Sequence, residues 1–247
     1  MVCSTATTAI MNLRFLDLDN EPLKMLLPIE DYRNFALISL EKANIAKILP
    51  DGLTQDESAA IQLYTLEWYP SDRSLYYQLN QTLRLEDRQQ MIPWFSYLKL
   101  FLAALFKLPN VKATVWRGVK SDLTSQYPKG RRCTWWGLSS CTESTEVLKQ
   151  PQFLGTTGTL FSIECLNSKN IKQHSYFQTE SEILLMSATY LEVVSQLNGG
   201  ADGLHIIHLK EIKPPHPLLQ SPFCARQTTI QSQNIINKSV KLPTWNQ

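Results

Sequence analysis

ATVWRGV, Ala113 to Val119, is where the chain changes texture. Its branched and aromatic residues, Thr114, Val115, Trp116 and Val119, favour a pleated, half-buried strand rather than a helix. The same texture continues downstream in RRCTWWGLSS (131–140), TGTLFSIEC (157–165), EILLM (182–186), TYLEVVSQL (189–197) and GLHIIHLKEI (203–212). Turn signals separate these runs: Lys129-Gly130, TTG at 156–158, and NGGADG at 198–203, which suggests a hairpin between the last two. Upstream the periodicity is helical. EDYRNFALISLEKANIAKIL (30–49), ESAAIQLYTLEW (57–68), SDRSLYYQLNQTLR (71–84) and WFSYLKLFLAALF (94–106) repeat apolar residues at spacings of three and four, with Pro50, Pro70, Pro93 and Pro109 between them. In the third segment Leu75, Leu79, Thr82 and Leu83 mark one face, and Ser71 is the expected cap. Helices first and strands later predict an α+β domain, with helices packed on a sheet.

The bulk composition narrows the function classes. A formal charge of +2 and 19% charged residues predict no strongly electrostatic partner, hence no nucleic acid. After Glu211 there is no acid, but Lys213, Arg226, Lys238 and Lys241 are spread too thinly for a nucleic-acid arm and read as a loosely packed tail. Cys3, Cys133, Cys141, Cys165 and Cys224 are odd in number and lack CxxC spacing, which argues against a zinc site and a disulfide framework. A reducing compartment, the cytoplasm, is the expectation. The N-terminal residues show no secretory signal, and the most apolar run is interrupted by Lys99 and is too short to span a bilayer.

Three stretches could carry chemistry. Arg117 sits inside an apolar strand beside Gly118; it needs an anion, either a phosphate or carboxylate of a ligand or an internal glutamate, and the glycine would let a ligand approach the backbone. In WWGLSSCTES, the hydroxyls of Ser140 and Thr142 share a face at a spacing of two. They could hold a polar ligand or orient a carboxylate, although hydroxyls at a strand end more often cap the next helix, here STEVLKQ (144–150). In TESEILLM (179–186), Glu180 and Glu182 would face one side of an extended segment with Ser181 facing the other. Two carboxylates at that distance suit general-base or charge-stabilising work; taken alone they read more plainly as solvated residues at a strand entrance. His205 and His208, three apart in a strand, would lie on opposite faces and so make no metal pair, and His174 reads as a solvated loop residue. Of Trp135 and Trp136, at least one should be core.

Taken together, WRG with Arg117, GLSSCT with Ser140 and Thr142, and ESEILL with Glu180 and Glu182 resemble the signature of the arginine-specific mono-ADP-ribosyltransferases, an arginine, a serine motif and Glu-x-Glu on successive strands. AIQLYT and LYYQLNQTLR resemble the helical segments that precede the arginine strand in that family. The resemblance covers about Asp56 to Pro215. It implies a catalytic domain over residues 56–217, a helical extension over 1–55 and a tail over 218–247. The implied architecture is a helical segment packed on a mixed or antiparallel, sandwich-like NAD-binding core.

The resemblance also implies an activity: ADP-ribose passes from NAD, or NADP, to an arginine exposed on a protein acceptor, and nicotinamide leaves. It assigns Glu182 to stabilising the oxocarbenium-like transition state through the ribose 2′-hydroxyl. Glu180 would orient and activate the acceptor guanidinium, Arg117 would hold NAD through its phosphate and ribose region, Ser140 would orient Glu182 and the nicotinamide ribose, and Gly118 and Thr142 would complete the NAD-binding set. No metal is called for. The expected nicotinamide-stacking aromatic is not obvious among Phe153, Phe161, Tyr176 and Phe177; Phe161 reads as core, and Phe177 is chosen. The SSCT form of the serine motif keeps both hydroxyls. Lacking a signal peptide and a disulfide framework, the chain resembles the intracellular or toxin-like branch. NAD hydrolysis without transfer, or a catalytically inactive binding module, are the competing expectations.

Overall fold

A computed structural model describes residues 49–144, 158–179, 181–199, 203–221 and 223. Helix α1 (Gln55–Thr65) begins in a capping box: Thr54 Oγ1 accepts from Glu57 N at 3.2 Å, and Glu57 Oε2 accepts from Thr54 N at 2.8 Å. The same Glu57 carboxylate meets Lys107 Nζ at 2.7 Å, tying the start of α1 to the end of α3 (Phe95–Lys107). Between them α2 (Leu75–Arg84) buries Leu75, Leu79 and Leu83 at the spacing of four that the sequence displays, and adds a polar residue, Asn80, to that buried surface. Ser71 does not cap this helix. It opens a 3-10 turn, Ser71–Arg73, and α2 starts from Ser74, whose hydroxyl accepts from the Trp68 amide and ties down the approaching loop. The predicted helix over 30–49 and the segment STEVLKQ lie largely or wholly outside the described residues.

The strands are β1 (Asn110–Val119), β2 (Arg132–Trp135), β3 (Ser139–Thr142), β4 (Thr159–Asn170), β5 (Glu182–Leu185), β6 (Thr189–Leu197) and β7 (His205–Glu211). Five run side by side in the order β1-β4-β7-β6-β2, and only β4–β7 is parallel among the pairs. β3 and β5 pair antiparallel with each other and bridge β1, at Trp116 opposite Thr142, to the far end of β4, at Asn170 opposite Ile183. The β6–β7 hairpin is present as expected, with Leu197 opposite Ile206. RRCTWWGLSS is not one strand. It is broken at Trp136-Gly137, where the chain leaves β2, paired with β6, and enters β3, paired with β5.

Alternation along β3 and β5 explains the layering. Cys141, Ile183 and Leu185 face inward to a core shared with Val115, Phe161, Ile163, Leu191, Val193, Ile207 and Leu209 of the larger sheet. Leu184 faces the other way, into a second core with Leu79, Leu83, Tyr97, Phe101 and the rest of the helical layer. The fold is therefore α+β, with β3–β5 as a middle layer between sheet and helices. Trp135 enters the first core and Trp136 the second, so both rings are core. The opposite face of the large sheet is solvated and carries a cross-strand row of alternating charge, Glu164, Lys210, Glu192 and Arg132.

Candidate active site

The face of β3–β5 that looks toward the helices carries Ser140, Thr142, Glu182 and Leu184, with Ser140 opposite Leu184 and Thr142 opposite Glu182. Ser140 and Glu182 are thus diagonal neighbours. The Ser140 hydroxyl donates to Glu182 Oε1 at 2.5 Å, a short, charge-assisted contact. Arg117, on β1, donates from Nη1 to the Ser140 carbonyl at 2.6 Å. Its Nε is buried without a hydrogen-bond partner among the described residues. The structure thus joins the arginine, the serine and the second glutamate of the sequence motifs through one residue, Ser140. Glu180 lies outside the described residues; Ser181, next to it, is exposed.

The other anticipated residues divide. Gly118 continues β1 opposite Leu160. Thr142 uses its Oγ1 to accept from Ser144 N at 3.1 Å, so it ends the strand as a turn cap on the same face as Ser140. Phe161 is fully buried, as expected. Phe177 is 41% exposed and stands edge-to-face against Tyr176, with centroids 5.1 Å apart. It precedes Glu182 by five residues and is the accessible aromatic of that loop. His174, expected to be solvated, is fully buried, between Ser58 and Asp51. A loop residue becomes buried here because α1 packs over the loop, which local sequence does not reveal.

Helix α2 brings two residues that the sequence motifs do not single out. Asn80 donates from Nδ2 to the Tyr64 hydroxyl at 3.0 Å, while its Oδ1 is buried without a partner among the described residues. Arg84, four residues further along the same helix, carries no ion pair among the described residues. Burial and the Arg117 charge both pull its pKa down from the ordinary arginine value. Two guanidiniums near enough to repel, with no salt bridge to an acid among the described residues, make a site that favours an anion. Tyr64, buried beneath them, is pushed well up by burial; the Glu182 charge adds to this, while the Asn80 bond and the Arg117 and Arg84 charges oppose it. A polar residue on a leucine-lined helix face, followed at i+4 by an arginine, was the available sequence signal.

Gly137 explains the closeness of α2. A Cβ there would lie 2.8 Å from Asn80 Oδ1 and 3.0 Å from Arg84 Nη2. The chain crosses from the β2–β6 pairing to the β3–β5 pairing where the helix carries Asn80 and Arg84. Cys141, between the two hydroxyls of the serine motif, points into the opposite core, where burial pushes its thiol up to about 12. It is therefore an inert packing residue.

A family model described as NAD:arginine ADP-ribosyltransferase matches residues 30–215. The chain belongs to the NAD:arginine ADP-ribosyltransferase family. Solved ADP-ribosyltransferases share its fold. The eucaryotic mono-ADP-ribosyltransferase ART2.2 superposes with a TM-score of 0.62 at 18% identity, covering 81% of this chain and 87% of its own. Exoenzyme S from Pseudomonas aeruginosa, solved with human 14-3-3 protein beta and carba-NAD, gives 0.55 at 18% identity, with 84% and 93% covered. The ADP-ribosyltransferase Vis, a Vibrio splendidus toxin, in complex with agmatine gives 0.52 at 18%, with 83% and 92% covered. No curated protein sequence matches the chain significantly.

As an ADP-ribosyltransferase the chain uses NAD as its substrate. The residues present fit such a ligand. The pyrophosphate of NAD carries two negative charges, and the site offers, among the described residues, two guanidiniums without a salt bridge to an acid, two buried polar atoms without hydrogen-bond partners, and a carboxylate already oriented by a hydroxyl. Among the described residues there is no group of side chains that could hold a metal, and no helix is long and apolar enough to cross a membrane.

Proposed function

We propose that this ADP-ribosyltransferase transfers the ADP-ribosyl group to the guanidinium of an arginine on a protein acceptor. The observation that carries this reading is the linked set Arg117–Ser140–Glu182, three residues from three strands joined through the Ser140 carbonyl at 2.6 Å and the Ser140 hydroxyl at 2.5 Å. NAD supplies the glycosidic bond that breaks, with nicotinamide as leaving group. Glu182, held by the Ser140 hydroxyl, faces the ribose and stabilises positive charge as it develops there, a gain realised only in the transition state. Arg117 and Arg84 hold the phosphates, and Asn80 Oδ1 accepts from the ligand between them. Phe177 covers the nicotinamide side.

Glu180, by its position two residues before Glu182, orients the acceptor guanidinium. The solution of Vis with agmatine, a small guanidinium, supports an acceptor of this class. The acceptor is thus a protein with an exposed arginine. Placement in the cytoplasm accords with Cys141 and Cys165, which form no disulfide among the described residues.

The test is incubation with NAD labelled on the adenylate, plus agmatine, beside a Glu182→Gln control. Labelled ADP-ribosyl-agmatine that vanishes in the control is the expected result. Free ADP-ribose alone, unaffected by agmatine, would make the protein an NAD glycohydrolase, and no turnover by either protein would leave a binding module. Glu180→Gln should remove transfer to agmatine while hydrolysis of NAD persists.

A further inference from the structure

The loop from Ile171 to Thr179, which carries Phe177 and runs into Glu182, is fastened to α1 at two points. At the first, His174 is fully buried between Ser58 Oγ, 3.1 Å from Nδ1, and Asp51 Oδ2, 3.3 Å from Nε2. A carboxylate can only accept, so Nε2 carries the hydrogen and Nδ1 accepts from the Ser58 hydroxyl; the neutral ring is satisfied on both sides. At the second, the Tyr176 amide donates to Thr65 Oγ1 at 2.8 Å, about two turns along α1 from Ser58. The stem of the loop is closed by Ile171 N donating to the Glu182 carbonyl at 3.2 Å, and His174 N donates to the Ile171 carbonyl at 2.9 Å.

Asp51 sits at φ 57°, a left-handed conformation in the 3-10 turn Pro50–Gly52. That conformation is uncommon outside glycine, and here it accompanies the carboxylate's contact with His174. Although Ser, His and Asp are in line, the set cannot serve as a hydrolytic triad. Ser58 is 1% exposed, and no substrate reaches its hydroxyl.

We propose that His174 is a positioning residue for group transfer: by locking the β4–β5 loop on α1 it holds the loop's exposed rim, Phe177 to Thr179, beside Glu182 in the place an acceptor must pass. Water needs no such rim. The clamp therefore sets the share of ADP-ribose delivered to an acceptor rather than to water, which rests on the transferase reading above. Loosening the clamp leaves Arg117, Ser140 and Arg84 in place, so the hold on the phosphates is kept and NAD loses only the contact with Phe177, which moves with the loop.

The test compares the parent with His174→Ala and with the milder Ser58→Ala and Asp51→Asn, each of which removes one side of the clamp. The ratio of ADP-ribosyl-agmatine to free ADP-ribose should fall by about tenfold in His174→Ala and by several-fold in the milder pair, through a rise in KM for agmatine that exceeds any rise in KM for NAD. Amide hydrogen exchange over Ile171–Thr179 should be faster in all three, with exchange in α3 unchanged. If the folded variants keep the parent's product ratio, or if the loop exchanges as slowly as in the parent, the proposal is overturned. Should the parent form no ADP-ribosyl-agmatine, the transferase reading fails by itself, and with it the product-partition role, while loop exchange still decides whether His174 is a clamp.

Discussion

Ser140 and Glu182, 42 residues apart, share a hydrogen bond of 2.5 Å because β3 and β5 pair in the register that sets Thr142 opposite Glu182. The bond has little to do with stability, since Ser140 is exposed. It fixes the carboxylate in one orientation before any ligand arrives, so the cost of organising it is met by folding.

Ser140→Ala should leave thermal unfolding close to the parent's and slow turnover at saturating NAD by about ten- to a hundredfold, the worth of a charge-assisted hydrogen bond of 1.5–3 kcal/mol. Ser140→Thr, which keeps the hydroxyl, should recover part of that loss. Steady-state kinetics of both variants checks this; equal rates for parent and Ser140→Ala would remove Ser140 from the catalytic set.

Arg84 and Arg117 are predicted to act on the same anion. Each single change to alanine should raise the KM for NAD by about tenfold or more. The double variant should fall short of the product of the two effects, because groups sharing a partner are not additive. Two effects that multiply would mean that the guanidiniums serve separate parts of the ligand.

Gly137→Ala places a methyl group 2.8 Å from Asn80 Oδ1 and 3.0 Å from Arg84 Nη2. The Arg84 side chain is long and its end can swing aside, whereas Asn80 is held by Tyr64. The outcome expected is a modest loss of stability, about 1–3 kcal/mol, together with a raised KM for NAD as Arg84 is displaced. Calorimetry and kinetics on the same preparation read both; a variant stable and fully active would show that the closeness of α2 to Gly137 is not needed.

Removing Glu57 strips α1 of its capping box and leaves Lys107 without its carboxylate. Glu57→Ala should destabilise the fold by about 1–3 kcal/mol, since the pair is largely enclosed, with side-chain exposures of 31% and 8%. Chemical denaturation of parent and variant gives the difference directly. Glu57→Gln, able to retain the cap but not the charge, should lie between them.

Burial holds the His174 imidazole below its ordinary value, and the Asp51 carboxylate opposes this only in part. The unfolded chain therefore binds a proton in a range where the folded protein does not, and stability rises with pH there. The contribution is complete above the ordinary histidine value of about 6.5 and is lost as pH falls from there toward the lowered folded value, by at most about 1.4 kcal/mol per pH unit. Urea unfolding from about pH 7.5 to 5 should show the parent losing stability faster than His174→Gln. Parallel curves would contradict the assignment.

Much of the fold was legible in the residues. Leucines at 75, 79 and 83 name a helix face because 3.6-residue periodicity is a property of neighbours in the chain, and the branched and aromatic runs from Ala113 name strands for the same reason. The motif residues Arg117, Ser140 and Glu182 were legible only as a set: Arg117 in an apolar strand calls for an anion by itself, whereas Ser140 and Glu182 read alone as a strand-end cap and a solvated carboxylate, and the resemblance to the family signature joined them.

Other features depended on packing between distant segments. The break at Trp136-Gly137 follows from the chain changing its partner strand from β6 to β5 and from α2 pressing on the crossing, and no local signal separates it from a continuous strand. Arg84 joins the site only because α2 lies over β3, and His174 is buried only because α1 covers its loop. Sequence by itself determined which elements form and which side chains they carry, because those preferences are local. Tertiary structure alone decided which of those side chains meet, because register, layer contact and burial are set between residues tens of positions apart.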